Sequence, residues 1–142
     1  MGKARVLCID DDIAQLTVMA GILKNDGYEV ETAKNGTDGL KKAHDWQPGL
    51  IILDIMMPGM DGYEVCRHLK KDEVTQNIAV LMLTAKGGVD EKVDHAYELA
   101  GKVKDRLKGF DSGAVEFLTK PVKAKDLLQR VKAVLWASGF PV

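Results

Sequence analysis

Five short apolar runs, Arg5–Ile9, Tyr28–Thr32, Leu50–Leu53, Ile78–Leu83 and Val115–Leu118, alternate with segments whose apolar residues recur at helical spacing. No other feature restricts the fold as much. Near-continuous apolar runs of this length suit strands covered on both faces, and strands joined through helices run parallel. The pattern predicts an α/β fold, a doubly wound five-stranded parallel sheet with helices on both faces.

The intervening segments supply the helices. Ile13, Leu16, Ala20 and Leu23 form one face of a first helix, which Asp26 and Gly27 can end because glycine suits the position after a helix. Asn35-Gly36 reads as a turn before a second helix that carries Leu40 and Ala43 inward, and Tyr63–Lys71 as a third. A last helix from Lys123 to about Ala137 places Leu127, Leu128, Val131, Val134 and Leu135 on one face. Pro121 lies just before its start, where proline is tolerated. The residues 139 to 142, with Ser138 before them, read as a terminal tail, and Trp46 and Trp136 as packing at helix ends.

The totals narrow the classes of function. With 142 residues the chain has the size of one domain, and 46% apolar with 29% charged residues is the balance of a soluble globular protein. Twenty basic against 21 acidic residues give a formal charge of −1, so no strong field draws in nucleic acid or anionic lipid. Direct DNA binding and membrane association are therefore not expected. Cys8 and Cys66 lie in different elements without metal-type spacing and read as reduced structural thiols of a cytoplasmic protein. His44, His68 and His95 fall in helical stretches and read as surface residues.

In an open parallel sheet, ligands bind outside the carboxyl ends of the strands, near the point where strand order reverses. The residues that follow the runs there are Asp10, Asp11 and Asp12, then Asp54, then Thr84 and Ala85, then Lys120 and Pro121. Crowded carboxylates repel one another unless a cation takes up the charge. All-oxygen ligation without paired His or Cys favours Mg²⁺ or Mn²⁺, and Mg²⁺ typically binds through one or two carboxylates together with a phosphate. A phosphoryl group is the implied substrate, with Lys120 a point charge for its oxygens, Thr84 a hydroxyl donor and Asp54 the candidate nucleophile. The loop after Asp54, with Pro58, Gly59, Asp61 and Gly62, shapes the pocket: a fixed φ, an open φ and the start of a helix.

Four separated motifs, "VLCIDDD", "LIILDIMMPGMDGYEV", "LMLTAK" and "EFLTKPV", closely resemble the receiver domain of bacterial two-component response regulators. The resemblance covers nearly the whole chain and implies one receiver domain over residues 1–142 with the flavodoxin-like (βα)5 fold. It further implies that Asp54 is the phosphoacceptor, that Asp10, Asp11 and Asp54 hold Mg²⁺ with the main-chain carbonyl of Met56, and that Thr84 and Phe117 are the switch residues beside Lys120. The resemblance also gives Asp12 a variable acidic position that does not ligate the metal, and the Lys120-Pro121 bond resembles one that is often cis in the family. The implied phosphoryl donor is a histidine kinase or phosphotransfer protein, and output passes to a downstream protein target. The domain assists its own phosphorylation and dephosphorylation without being an enzyme that turns over a separate substrate.

One departure stands out. From Gly87 to Gly113 the chain exceeds the family's length by roughly a dozen residues, about three helical turns, and reads as an extended fourth helix. Two readings stay open for its Val89, Val93 and Ala96 stripe: a solvated extension, or a face buried against a partner or a second copy, giving a homodimer through the fourth and fifth helices. Two other functions also remain open. In a haloacid dehalogenase-type phosphatase Asp10 would be the nucleophile and Asp12 the acid, but Asp54 and its loop would then have no role. The other is a non-phosphorylated interaction module that keeps the receiver fold.

Overall fold

The computed structural model describes residues 3–84 and 116–140. Its elements in order are β1 (Arg5–Ile9), α1 (Ile13–Asn25), β2 (Glu29–Ala33), α2 (Gly36–Trp46), β3 (Leu50–Asp54), α3 (Gly62–Lys71), β4 (Ala79–Thr84), β5 (Glu116–Thr119) and α4 (Ala124–Ala137). The expected extended fourth helix, with His95 and its apolar stripe, lies outside the described residues, so α4 here is the carboxyl-terminal helix.

All strands are parallel, in the order β2-β1-β3-β4-β5. The strand order reverses between β1 and β3, which puts Asp10 and Asp54 side by side at the switch point. β3 is buried along its whole length, whereas the edge strand β2 alternates exposed and half-buried positions until the buried Ala33. Two apolar layers cover the sheet: Leu16, Met19 and Leu23 of α1 pack with Leu127, Val131 and Leu135 of α4 on one face. Ala43, Val65, Cys66 and Leu69 of α2 and α3 pack on the other.

Local chemistry sets the helix limits. Asp12, Asn35 and Asp61 each accept a backbone N–H from the first turn of the helix that follows, satisfying a donor that the helix itself leaves free. Gly27, at φ 98°, ends the approach from α1 to β2 as anticipated. Gly39 faces Ile9 so closely that a Cβ would lie 2.5 Å from the Ile9 side chain, which lets α2 settle directly on β1.

Three details depart from the sequence reading. Ile13 is 56% exposed rather than inward, and Met19 completes the buried face of α1 instead. Trp136 is 70% exposed, while Phe140 folds back over Gly49 and donates its N–H to the carbonyl of Leu135. The tail is therefore part of the packing at the amino end of β3. β2 and β4 lie one residue later than their apolar runs, because pairing with β1 and β3 rather than apolarity sets their limits. Trp46 does pack at the end of α2, with the Arg5 guanidinium 5.2 Å from its ring centroid.

Candidate functional site

Four chain segments deliver the site. β1 ends at Ile9 and leaves Asp10 fully buried, its N–H donated to the Ala33 carbonyl at 3.1 Å. β3 ends at Asp54, only 3% exposed. From the far side of the sheet, Lys120 follows β5 and reaches back with its Nζ 3.0 Å from Asp54 Oδ1 and 3.3 Å from Asp10 Oδ2. The Lys120-Pro121 peptide is cis. Thr84 ends β4 in register with Thr119, and their hydroxyls lie 3.4 Å apart. Thr119 received no role in the sequence reading, although its place directly before Lys120 was visible.

A charged group at the end of a buried strand is expensive unless partnered. Burial pushes the Asp54 carboxyl up to about 6; the Lys120 hydrogen bond opposes this, and the neighbouring charges of Asp10 and Asp11 add to it. Burial draws the Lys120 ammonium down, but its hydrogen bond and charge pairing with Asp54 and Asp10 outweigh that, and its pKa is raised. Cys8 lies in the strand below, where burial and then the Asp10 charge push its thiol up to about 12 and keep it protonated.

Asp10, Asp11 and Asp54 each offer an oxygen within 4.8 Å of the others. With every group ionised, three carboxylates against one ammonium leave a net charge of −2, which one divalent cation cancels. Asp10 Oδ2 is buried and has the Lys120 ion pair but no hydrogen bond. Hard oxygen donors, surplus negative charge and an incompletely satisfied buried oxygen fit a hard cation. Met56 lies in the adjoining loop and is 71% exposed.

The loop after Asp54 is locked by backbone contacts. Ile55 donates to the Leu83 carbonyl, and its own carbonyl accepts from Gly62 at 3.0 Å and from Met57 at 3.2 Å. A Cβ on Gly62 would lie 2.5 Å from the Asp54 carbonyl oxygen and 2.7 Å from the Ile55 Cα, so only glycine lets α3 begin so close to the end of β3. Gly59, at φ 76°, takes the left-handed turn expected of it. Phe117 is packed inward with Met82 and the α2–α3 layer.

A parallel 2-1-3-4-5 sheet with carboxylates at its switch point and a lysine arriving from the last strand places the chain in the class of flavodoxin-like α/β domains with an acidic strand-end pocket. The chain belongs to the response regulator receiver domain family, whose model matches residues 6–132. It is 42% identical over 131 residues to the DNA-binding dual master transcriptional regulator RpaA of Synechocystis, which covers 92% of this chain and 48% of that protein. It is 40% identical over 132 residues to the response regulator PleD of Caulobacter vibrioides, covering 93% of this chain and 26% of that one. Among solved structures, a response regulator from Chloroflexus aurantiacus superposes with a TM-score of 0.79 at 30% identity, covering 94% of this chain and 98% of the other. The chemotaxis protein CheY4 of Vibrio cholerae gives 0.78 at 29%, covering 93% and 98%. The chain thus spans about half or less of the two curated relatives but nearly all of the two solved chains. Among the described residues no helix is long and apolar enough to cross a membrane.

Proposed function

We propose that residues 1–142 form a single receiver domain in the cytoplasm that takes a phosphoryl group on Asp54 from a histidine kinase or phosphotransfer protein. The observation that carries this reading is the Lys120 ammonium bridging Asp54 and Asp10 at the edge where three carboxylates converge. In the transfer, an Asp54 carboxylate oxygen forms the bond to phosphorus while the bond from phosphorus to the donor's imidazole nitrogen breaks and its electron pair returns to the ring. Lys120 offers its protons to the phosphoryl oxygens, and the Thr84 hydroxyl, now against Thr119, is free to turn toward them. Asp10, Asp11, Asp54 and the main-chain carbonyl of Met56 would hold Mg²⁺, or Mn²⁺, which supplies charge neutralisation for the transferring group.

Rigid placement of the nucleophile does most of the work in such a reaction, which explains the close-packed start of α3 beneath it. Movement of Thr84 and Phe117 would then alter a surface read by a downstream protein. The domain assists its own loading and hydrolysis. The test is incubation with Mg²⁺ and acetyl phosphate followed by intact mass measurement. One acid-stable, base-labile phosphoryl adduct that is absent in Asp54→Asn is expected; an adduct that persists in that variant removes Asp54 from the role.

A further inference from the structure

Asp10 is gripped from two sides. Its Oδ2 faces Lys120, while its Oδ1 accepts the backbone N–H of Asp12 at 3.0 Å. That N–H is itself held in place: Asp12 is the N-cap of α1, with φ −84° and ψ 106°, and its Oδ1 accepts the N–H of Gln15 at 3.2 Å. The Asp12 carboxylate thus faces α1 rather than the pocket, since the acidic cluster consists of Asp10, Asp11 and Asp54. An N-cap side chain fixes the extended backbone of its own residue, and here the N–H of that same residue orients a buried carboxylate.

We propose that Asp12 is a positioning residue: by capping α1 it holds the turn whose N–H keeps Asp10 aimed into the cation pocket. This rests on the reading of Asp10, Asp11 and Asp54 as a divalent cation site. Capping requires a side-chain oxygen and not a charge, so asparagine serves and alanine does not. Comparing two uncharged variants therefore separates the cap from the long-range attraction of a carboxylate for a cation.

Mg²⁺ affinity is measured by calorimetric titration of the wild type, Asp12→Asn, Asp12→Ala and Asn35→Ala, in about 0.15 M salt to screen the exposed charge. Asn35 caps α2 in the same manner and hydrogen-bonds Asp38, so its variant loses a cap elsewhere. Asp12→Ala is expected to bind Mg²⁺ about five-fold more weakly than Asp12→Asn, the size of a lost cap expressed as an equilibrium constant. Asn35→Ala is expected to match the wild type. Equal binding by Asp12→Asn and Asp12→Ala overturns the proposal, because Asp12 then acts through charge or not at all. Equal weakening in Asn35→Ala also overturns it, since general loosening would explain the loss. A wild type that binds no Mg²⁺ defeats the cation-site reading itself, and the proposal with it.

Discussion

The two ends of the sheet use the same residue types to opposite effect. At the carboxyl end, Asp54 and Asp10 are buried with one lysine between them, and burial drives the Asp54 carboxyl up to about 6. At the amino end, Asp26 pairs with Lys3 at 2.9 Å and lies 3.9 Å from Lys132, all partly exposed, and the Lys3 hydrogen bond lowers the Asp26 carboxyl instead. His44 and Asp72 make a similar solvent-facing pair at 2.9 Å. Exposed pairs avoid the desolvation that the buried ones incur, and they contribute little either way. The carboxyl end is therefore where the protein gives up stability, as a site that must receive charge does.

Glycines sharpen the contrast most. At Gly62 a new Cβ meets main-chain atoms of Asp54 and Ile55 that cannot move without shifting the strand. At Gly49 it meets the Phe140 ring at 2.9 Å, the tip of a side chain near the chain's end. Gly62→Ala should lower stability by about 3 kcal/mol and Gly49→Ala by at most about 1 kcal/mol, because overpacking is costly where nothing can yield. Urea unfolding of both variants measures this; equal losses would mean that the two ends are equally rigid.

Asp54 gives the second test. Its pKa is raised from 3.8 to about 6, so the folded state holds the proton more tightly and stability falls as pH rises through that window. Above pH 6 the ionised carboxylate costs up to about 3 kcal/mol, at 1.36 kcal/mol per pKa unit. Asp54→Asn, measured with a chelator present, should therefore be more stable than the wild type at pH 7.5 by up to that amount. The gain should vanish as pH is lowered toward 4. A gain that is independent of pH, or a loss at pH 7.5, would show that Lys120 already offsets the burial.

Where a candidate site residue ends an apolar run, its place in the fold is legible in the sequence. Asp10, Asp54, Thr84 and Lys120 could be placed because a parallel sheet puts all strand ends on one edge, and the structure brings Asp10, Asp54 and Lys120 into direct contact. What could not be read depends on packing between distant segments. Helical spacing alone put Ile13 inward, since it could not show that Met19 would take that place against β1 and α4. Gly62 read only as a helix start, because its closeness to Asp54 exists only once α3 is docked. That Asp12 lends its N–H to Asp10 follows from the turn and not from residue type.

The smallest expected effect tests the mild end of the comparison. Hydrogen bonding to Asp72 raises the His44 pKa above 6.5, and the pair joins the last turn of α2 to the residue that ends α3. A raised histidine stabilises the fold fully below its unfolded pKa, and that contribution disappears as pH rises through the folded value. The imidazolium also sits in the last turn of α2, where a cation is favoured. His44→Gln should therefore be slightly less stable than the wild type at pH 5.5 and indistinguishable from it at pH 9, with the difference at pH 5.5 shrinking in high salt. Paired thermal melts at the two pH values read this directly. A large or salt-independent difference would show that the amino end holds a desolvated charge pair after all, and the contrast between the ends would then rest on Asp54 alone.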